Sequence, residues 1–143
     1  MPKTIQEEND MTTIDRKSNE KVERVFSDIR ETRKTDYINN FWEDLSHNEK
    51  QLDETWSQVK EIMSEGKIPY LYKEMIYVAV SIMNNCNYCI HTHTFAARKA
   101  GMTEEIYSEL MEVILLANKT NALATAMGCE IDNRFDKSIK GEK

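Results

Sequence analysis

The chain is short of the residues that bend a backbone. Its 143 residues include 4 Gly and 2 Pro, too few for the tight turns an all-β fold needs at every hairpin. Long apolar runs are also lacking: the longest candidate, "MIYVAVSIM", falls far below a membrane span. Basic charge is in deficit, with 19 Lys and Arg against 25 Asp and Glu and a formal charge of −6. Nothing chain-wide therefore draws the protein to phosphate backbones or anionic lipid, and neither nucleic acid nor membrane is expected as a partner. The opening stretch "MPKTIQEENDMTTIDRKSNEK" has no apolar segment of a secretory signal and is too acidic for a transit peptide, so the expected localisation is cytoplasmic. Cysteine is scarce, at 3 residues. In a reducing compartment that is no disulfide framework; a close pair there is more often catalytic, redox-sensing or metal-binding.

What the chain has is helical periodicity. Apolar residues make up 40% and charged residues 31%, the balance of a soluble single domain with one core. Residues 1–17 are polar and aperiodic and read as a disordered tail; residues 18–132 read as one helical domain, and 133–143 as a second polar tail. Val22, Val25, Phe26 and Ile29 recur at helical spacing, which predicts a first helix over "NEKVERVFSDIRETR". Asp36 is placed to cap a second helix carrying Ile38, Phe41, Trp42 and Leu45. Asn48 starts a third with Leu52, Trp56, Val59 and Met63 on its buried stripe, closed by a left-handed Gly66 and by Pro69. Trp42 and Trp56 are expected to anchor these three helices against the pair that follows.

A fourth helix over Tyr70–Met83 buries Leu71, Met75, Val78, Ala79 and Ile82, and Asn84 and Asn85 mark its end and the cap of a fifth helix from Cys86 to Lys99. Gly101 closes that helix. Thr103 caps a sixth, with Met102 able to pack on Tyr107 as a hydrophobic staple. The sixth helix continues or restarts through "TNALATAM" before Gly128. It is apolar on more than one face between Ile106 and Ala126, which suggests either an oligomeric interface or a central core helix. The fold class is all-α, with six to seven helices.

The chemistry concentrates in "NNCNYCIHTHTF", which holds two of the three cysteines and two of the three histidines. With Asn85 as cap, Cys86 opens the helix. At 100° per residue Cys86, Cys89 and His93 then share one stripe about 60° wide, while His91 points about 140° from Cys86. Two cysteines and two histidines invite zinc, but these four cannot converge from one continuous helix, and His47 or Cys129 would have to complete such a site. A redox reading fits better. A helix N-terminus lowers thiol pKa values, the two-residue spacing permits an intramolecular disulfide, and His93 is one turn from Cys89 to exchange a proton. The plain alternative is a helix start with two packed thiols and a surface histidine. Glu74, on or beside the stripe of the fourth helix, is by itself a surface acid. Cys129 reads as a buried or half-buried small residue, and the methionines read as core filling.

Together these residues carry a resemblance. Glu74, eleven residues, Cys86, two residues, Cys89, three residues, His93 is similar to the active-site pattern of the alkylhydroperoxidase D-like (AhpD-like) proteins of the carboxymuconolactone decarboxylase superfamily. The flanking text "DYINNFWEDLSHN", "KEMIYVAVSIMNNCNYCIHTHTFAARKAGMT" and "LANKTNALATAMG" is similar too, so the likeness spans roughly Val22 to Asp132. The resemblance implies an AhpD-like helical fold, assembly as a homotrimer or homohexamer, and a thiol-dependent peroxidase acting on organic or hydrogen peroxides. It implies Cys89 as the peroxidatic thiol, Cys86 as the resolving thiol, and Glu74 and His93 as a proton relay. An external dithiol, a lipoyl or thioredoxin-like protein, would supply reduction, with no cofactor and no metal. Helix-dipole reasoning runs against this order, since it favours Cys86 as the more acidic thiol. One departure stands out: Tyr88 occupies the place before the second cysteine where the best-characterised branch has histidine. A tyrosine can donate a proton but is a poor base at neutral pH. The alternatives are a disulfide reductase or a redox sensor on the same pair, and, with less to recommend it, a lactone decarboxylase, which needs no cysteine pair.

Overall fold

The computed structural model describes residues 20–135 and residue 141; the expected N-terminal tail and most of the C-terminal one lie outside the described residues. Among the described residues there are six α-helices, a short 3-10 turn and no strand: α1 (Glu20–Arg33), α2 (Asn40–Leu45), α3 (Glu49–Ile62), α4 (Tyr70–Met83), α5 (Asn87–Lys99), α6 (Glu104–Met127) and the turn Asn133–Phe135. None of these helices is long and apolar enough to cross a membrane. The chain divides between Ser64 and Glu65 into two compact units.

In the first unit α3 packs against both α1 and α2. Val22, Val25 and Ile29 of α1 meet Trp42 of α2 and Leu52 and Trp56 of α3, and Ile38 joins from the preceding segment. The two tryptophans sit edge to face at 5.4 Å, and the Arg33 guanidinium lies over both rings. Trp56 Nε1–H donates to Asp28 at 2.7 Å, and Lys60 donates to the same oxygen at 2.6 Å. Lys60 first, and then Trp56, hold the Asp28 carboxyl below the usual carboxylate range.

Two helix boundaries differ from the expected ones. Asp36 does not cap α2, which starts after Asn39; the intervening chain stays non-helical, and Ile38 is buried from it. Gly66 does not end α3. The helix stops at Ile62, where Ser64 Oγ donates to the Glu61 carbonyl at 2.7 Å and satisfies one of its last unpaired carbonyls, and Gly66 is not among the left-handed residues. Asn48 caps α3 as expected, its side chain accepting from Gln51 N–H at 3.1 Å.

In the second unit α4 and α5 fold back on each other as a helical hairpin. Val78 is buried on α4 as expected, but Leu71, Met75, Ala79 and Ile82 are only half-buried, and the other fully buried positions of α4 are Glu74 and Ser81. Thr103 caps α6, its hydroxyl accepting from Ile106 N–H at 3.2 Å. The helix then runs unbroken to Met127, where Gly128 turns left-handed at φ 59°. Arg98 of α5 ties the start of α6 down through Glu104 at 2.7 Å and by lying over the Tyr107 ring. Ile114 is the one buried residue of α6, and every residue from Leu115 to Phe135 is exposed.

Candidate active site

The turn between α4 and α5 sets the first thiol. Asn85 takes the left-handed conformation at φ 55°, its N–H bonding the Ile82 carbonyl at 3.1 Å and the Cys86 N–H bonding the Ser81 carbonyl at 2.9 Å. This pair of bonds is the Schellman closure of a helix, with asparagine where glycine is commonest. The expected arrangement, Asn85 as cap and Cys86 as first helical residue, is thus shifted by one. Asn85 closes α4, Cys86 occupies the cap position, and α5 begins at Asn87. The last carbonyls of α4 need donors, and asparagine tolerates the left-handed state that brings them. Asn85→Ala is expected to destabilise the protein by about 1 kcal/mol, the penalty of a Cβ at positive φ without a compensating side chain. Asn85→Gly is expected to leave stability and the rate of Cys86–Cys89 disulfide closure close to wild type, as read by thermal melting and thiol titration.

The cysteines form an interacting pair, both thiols free and half-buried. The Cys86 thiol is drawn below its ordinary range, first by the hydrogen bond from the Cys89 thiol and second by the Cys89 backbone N–H. Cys89 is pushed up to about 11, first by burial, then by the hydrogen bond to Cys86 and by that sulfur's charge. Of the two thiols Cys86 is therefore the more acidic, and Cys89 the one that holds its proton longer.

His93 stands one turn beyond Cys89 on α5, and α4 supplies its partner. Glu74 is 4% exposed, and His93 Nδ1–H donates to its Oε2 at 2.7 Å. A carboxylate on Nδ1 leaves Nε2 as the acceptor and can support a positive ring after proton uptake. The Tyr77 ring, also on α4, stacks on the His93 imidazole with centroids 3.8 Å apart and planes 17° from parallel. His91 is turned away as expected. It is exposed, and its Nδ1–H donates to the Asn87 carbonyl at 2.8 Å. Among the described residues no three His, Cys, Asp or Glu side chains converge on a point that would hold a metal ion. Tyr88 is 41% exposed, beside the pair in sequence. Cys129 is exposed, not buried as expected, like every other residue from Leu115 to Phe135.

The carboxymuconolactone decarboxylase family model matches residues 41–129, more than half of the chain. The chain belongs to the carboxymuconolactone decarboxylase family. A solved structure titled as the alkylhydroperoxidase AhpD core from Rhodospirillum rubrum ATCC 11170 is 48% identical, covers 80% of this chain and 85% of its own, and superposes with a TM-score of 0.79. No curated protein matches the chain significantly. The fold of this family member is thus AhpD-like, with the cysteine pair at the start of α5.

Of the residues singled out in the sequence, the hairpin brings Glu74 and His93 into contact and sets Cys86 against Cys89, while His47, His91 and Cys129 are exposed. Two further residues of the site, Tyr77 and Ser81, are not singled out by the sequence. Tyr77 follows Glu74 by three residues, the spacing that puts two side chains on neighbouring flanks of a helix, so that spacing was its available signal. Ser81 contributes through its carbonyl, which no side-chain pattern reveals.

Proposed function

We propose that the protein is a thiol-dependent peroxidase that reduces organic or hydrogen peroxides through a Cys86–Cys89 dithiol–disulfide cycle. The observation that carries this reading is the buried Glu74 carboxylate on His93 Nδ1, with the cysteine pair one turn before that histidine. In this cycle His93 Nε2 takes the proton of Cys89, and the Cys89 thiolate attacks the peroxide. The O–O bond breaks, the sulfur becomes a sulfenic acid, and His93 returns its proton to the departing alkoxide or hydroxide. The Cys86 thiolate then attacks the Cys89 sulfur, the S–OH bond breaks, and hydroxide leaves as water on gaining a proton. An external dithiol, such as a lipoyl or thioredoxin-like protein in a cytosolic setting, restores both thiols by exchange and is itself oxidised to a disulfide. The acidity order of the pair suits these roles, because an accessible Cys86 thiolate is a ready resolving nucleophile and Cys89 needs a base. Tyr88, between the two cysteines in sequence and 41% exposed, is a candidate proton donor. The test is steady-state consumption of cumene hydroperoxide with dithiothreitol or dihydrolipoamide. Repeated turnover is expected; a single equivalent consumed without turnover contradicts the reading.

The same acidity order favours a second reading, a disulfide reductase in which Cys86 attacks a substrate disulfide directly. It differs in needing no peroxide: a mixed disulfide on Cys86 would accumulate in Cys89→Ser.

The reading includes a homo-oligomer, a trimer or hexamer, and α6 supports it. The stretch Val113–Met127 carries a single charge, Lys119, in a chain that is 31% charged. Yet Leu115, Leu116, Leu123 and Met127 are 48–68% exposed. A helical end of this length is marginal in water without apolar cover. α4 carries its own uncovered stripe at helical spacing, Tyr72, Ile76, Val80 and Met83, so a second copy offers a surface of the right character. Light scattering is expected to give a multiple of the 16.7 kDa chain mass. Leu116→Glu with Leu123→Glu is expected to shift it to the single-chain mass; a wild-type monomer contradicts the assembly.

A further inference from the structure

We propose that Tyr77 is a positioning residue for His93, fixing the plane of the imidazole so that its free nitrogen is presented to the cysteine pair. This rests on the relay reading of Glu74 and His93 and adds a member to it.

A hydrogen bond fixes one atom of a ring and leaves the ring plane free to swing. The Glu74 contact, 2.7 Å from Oε2 to Nδ1, sets where Nδ1 sits and which tautomer is present. It does not set the rotation of the ring about that contact, and with it the direction of Nε2 on the far side. Tyr77 removes this freedom, because its ring lies face-on to the imidazole at 3.8 Å and 17°, and any swing of the imidazole would drive its edge into the phenol. Both constraints come from one helix. Glu74 and Tyr77 are three residues apart on α4, so the carboxylate meets the edge of the ring and the phenol meets its face. The His93 side chain is 23% exposed, and Tyr77 is 38% exposed. The phenol covers one face of the imidazole and keeps water off that face. When His93 holds the Cys89 proton, the positive ring lies between a carboxylate and an aromatic face, both of which attract it. A face-to-face stack is a poor arrangement for two neutral benzene-like rings and a good one for a cation over a π-system. The geometry therefore suits the protonated state through which the relay must pass.

The role belongs to the ring, not to the hydroxyl, and this separates a positioning role from bulk packing. Tyr77→Phe keeps the ring; Tyr77→Leu keeps apolar volume without it. In wild type and in Tyr77→Phe, the His93 ring protons are expected to resonate upfield under the Tyr77 ring current, and in Tyr77→Leu to return toward the position of an exposed histidine. Peroxide turnover in Tyr77→Phe is expected within about twofold of wild type, whereas kcat in Tyr77→Leu falls about tenfold with KM for peroxide little changed, the cost of a misaimed base. Circular dichroism and melting of each variant separate this loss from unfolding. Full activity in Tyr77→Leu, or an equal loss in Tyr77→Phe, overturns the proposal, the latter by assigning the effect to the phenol hydroxyl. If the wild type fails to turn peroxide over, the peroxidase reading fails alone. The positioning of His93 is then judged by its ring-proton shifts and by iodoacetamide alkylation of Cys89 in a Cys86→Ser background, which Tyr77→Leu slows and Tyr77→Phe does not.

Discussion

Cys89→Ser is expected to abolish peroxide turnover, lowering kcat by at least about a thousandfold, because a hydroxyl cannot replace the sulfur that accepts the peroxide oxygen. Cys86→Ser is expected to fail differently. The first equivalent of peroxide still reacts, a sulfenic acid persists on Cys89 where dimedone traps it, and the cycle stops for want of a resolving thiol. The acidity order sharpens the contrast. In the reduced wild type Cys86 is the more acidic thiol, held low by the Cys89 thiol, and Cys89 is held up to about 11 by burial and by its bond to Cys86. Alkylation near neutral pH is therefore expected to mark Cys86 first, although peroxide marks Cys89. Raising the pH toward 11 is expected to bring Cys89 into reach of the alkylating reagent. A sulfenic acid trapped on Cys86 in the Cys89→Ser variant, at the wild-type rate, would reverse the two roles.

Glu74→Gln is the second large effect. Glutamine fits the same space and its carbonyl can still accept from His93 Nδ1–H, so the tautomer survives. What is lost is the negative charge facing the ring as it takes up a proton. Peroxide-driven loss of thiol, followed by stopped flow, is expected to slow by about ten- to a hundredfold, the range of general acid–base assistance. The fold is expected to hold, since exchanging a buried carboxylate for a neutral amide removes a desolvated charge. A full-rate Glu74→Gln enzyme would make the 2.7 Å contact to His93 structural only.

Much of this is legible in the sequence. Helix number and type follow from the spacing of Val22, Val25 and Ile29, or of Leu52 and Trp56, because a helix that must bury one stripe writes it at three- and four-residue intervals. The side-chain caps at Asn48 and Thr103 were legible because an oxygen before a helix has a specific N–H to bond. At two helix ends a backbone state without a residue signature prevails. Asn85 reads equally as a cap or as a left-handed closure, and the carbonyls of Ile82 and Ser81, invisible in sequence, decided for the closure. Lys34, at φ 54°, closes α1 in the same way without any glycine to announce it. Glu74 was a surface acid on local grounds, and only the spacing shared with a family raised it. Its burial comes from the hairpin, a tertiary fact. The three-residue spacing from Glu74 places Tyr77 near the site, but the stack itself depends on ring orientation across two helices, which that spacing does not encode.

The most direct test is peptide mapping by mass spectrometry after one equivalent of cumene hydroperoxide is added to the reduced protein. The expected result is one intramolecular Cys86–Cys89 disulfide per chain, Cys129 still a free thiol, and one equivalent of cumyl alcohol released. Intact thiols with the peroxide unspent, or disulfides running through Cys129 between chains, would contradict a peroxidase cycle at the head of α5.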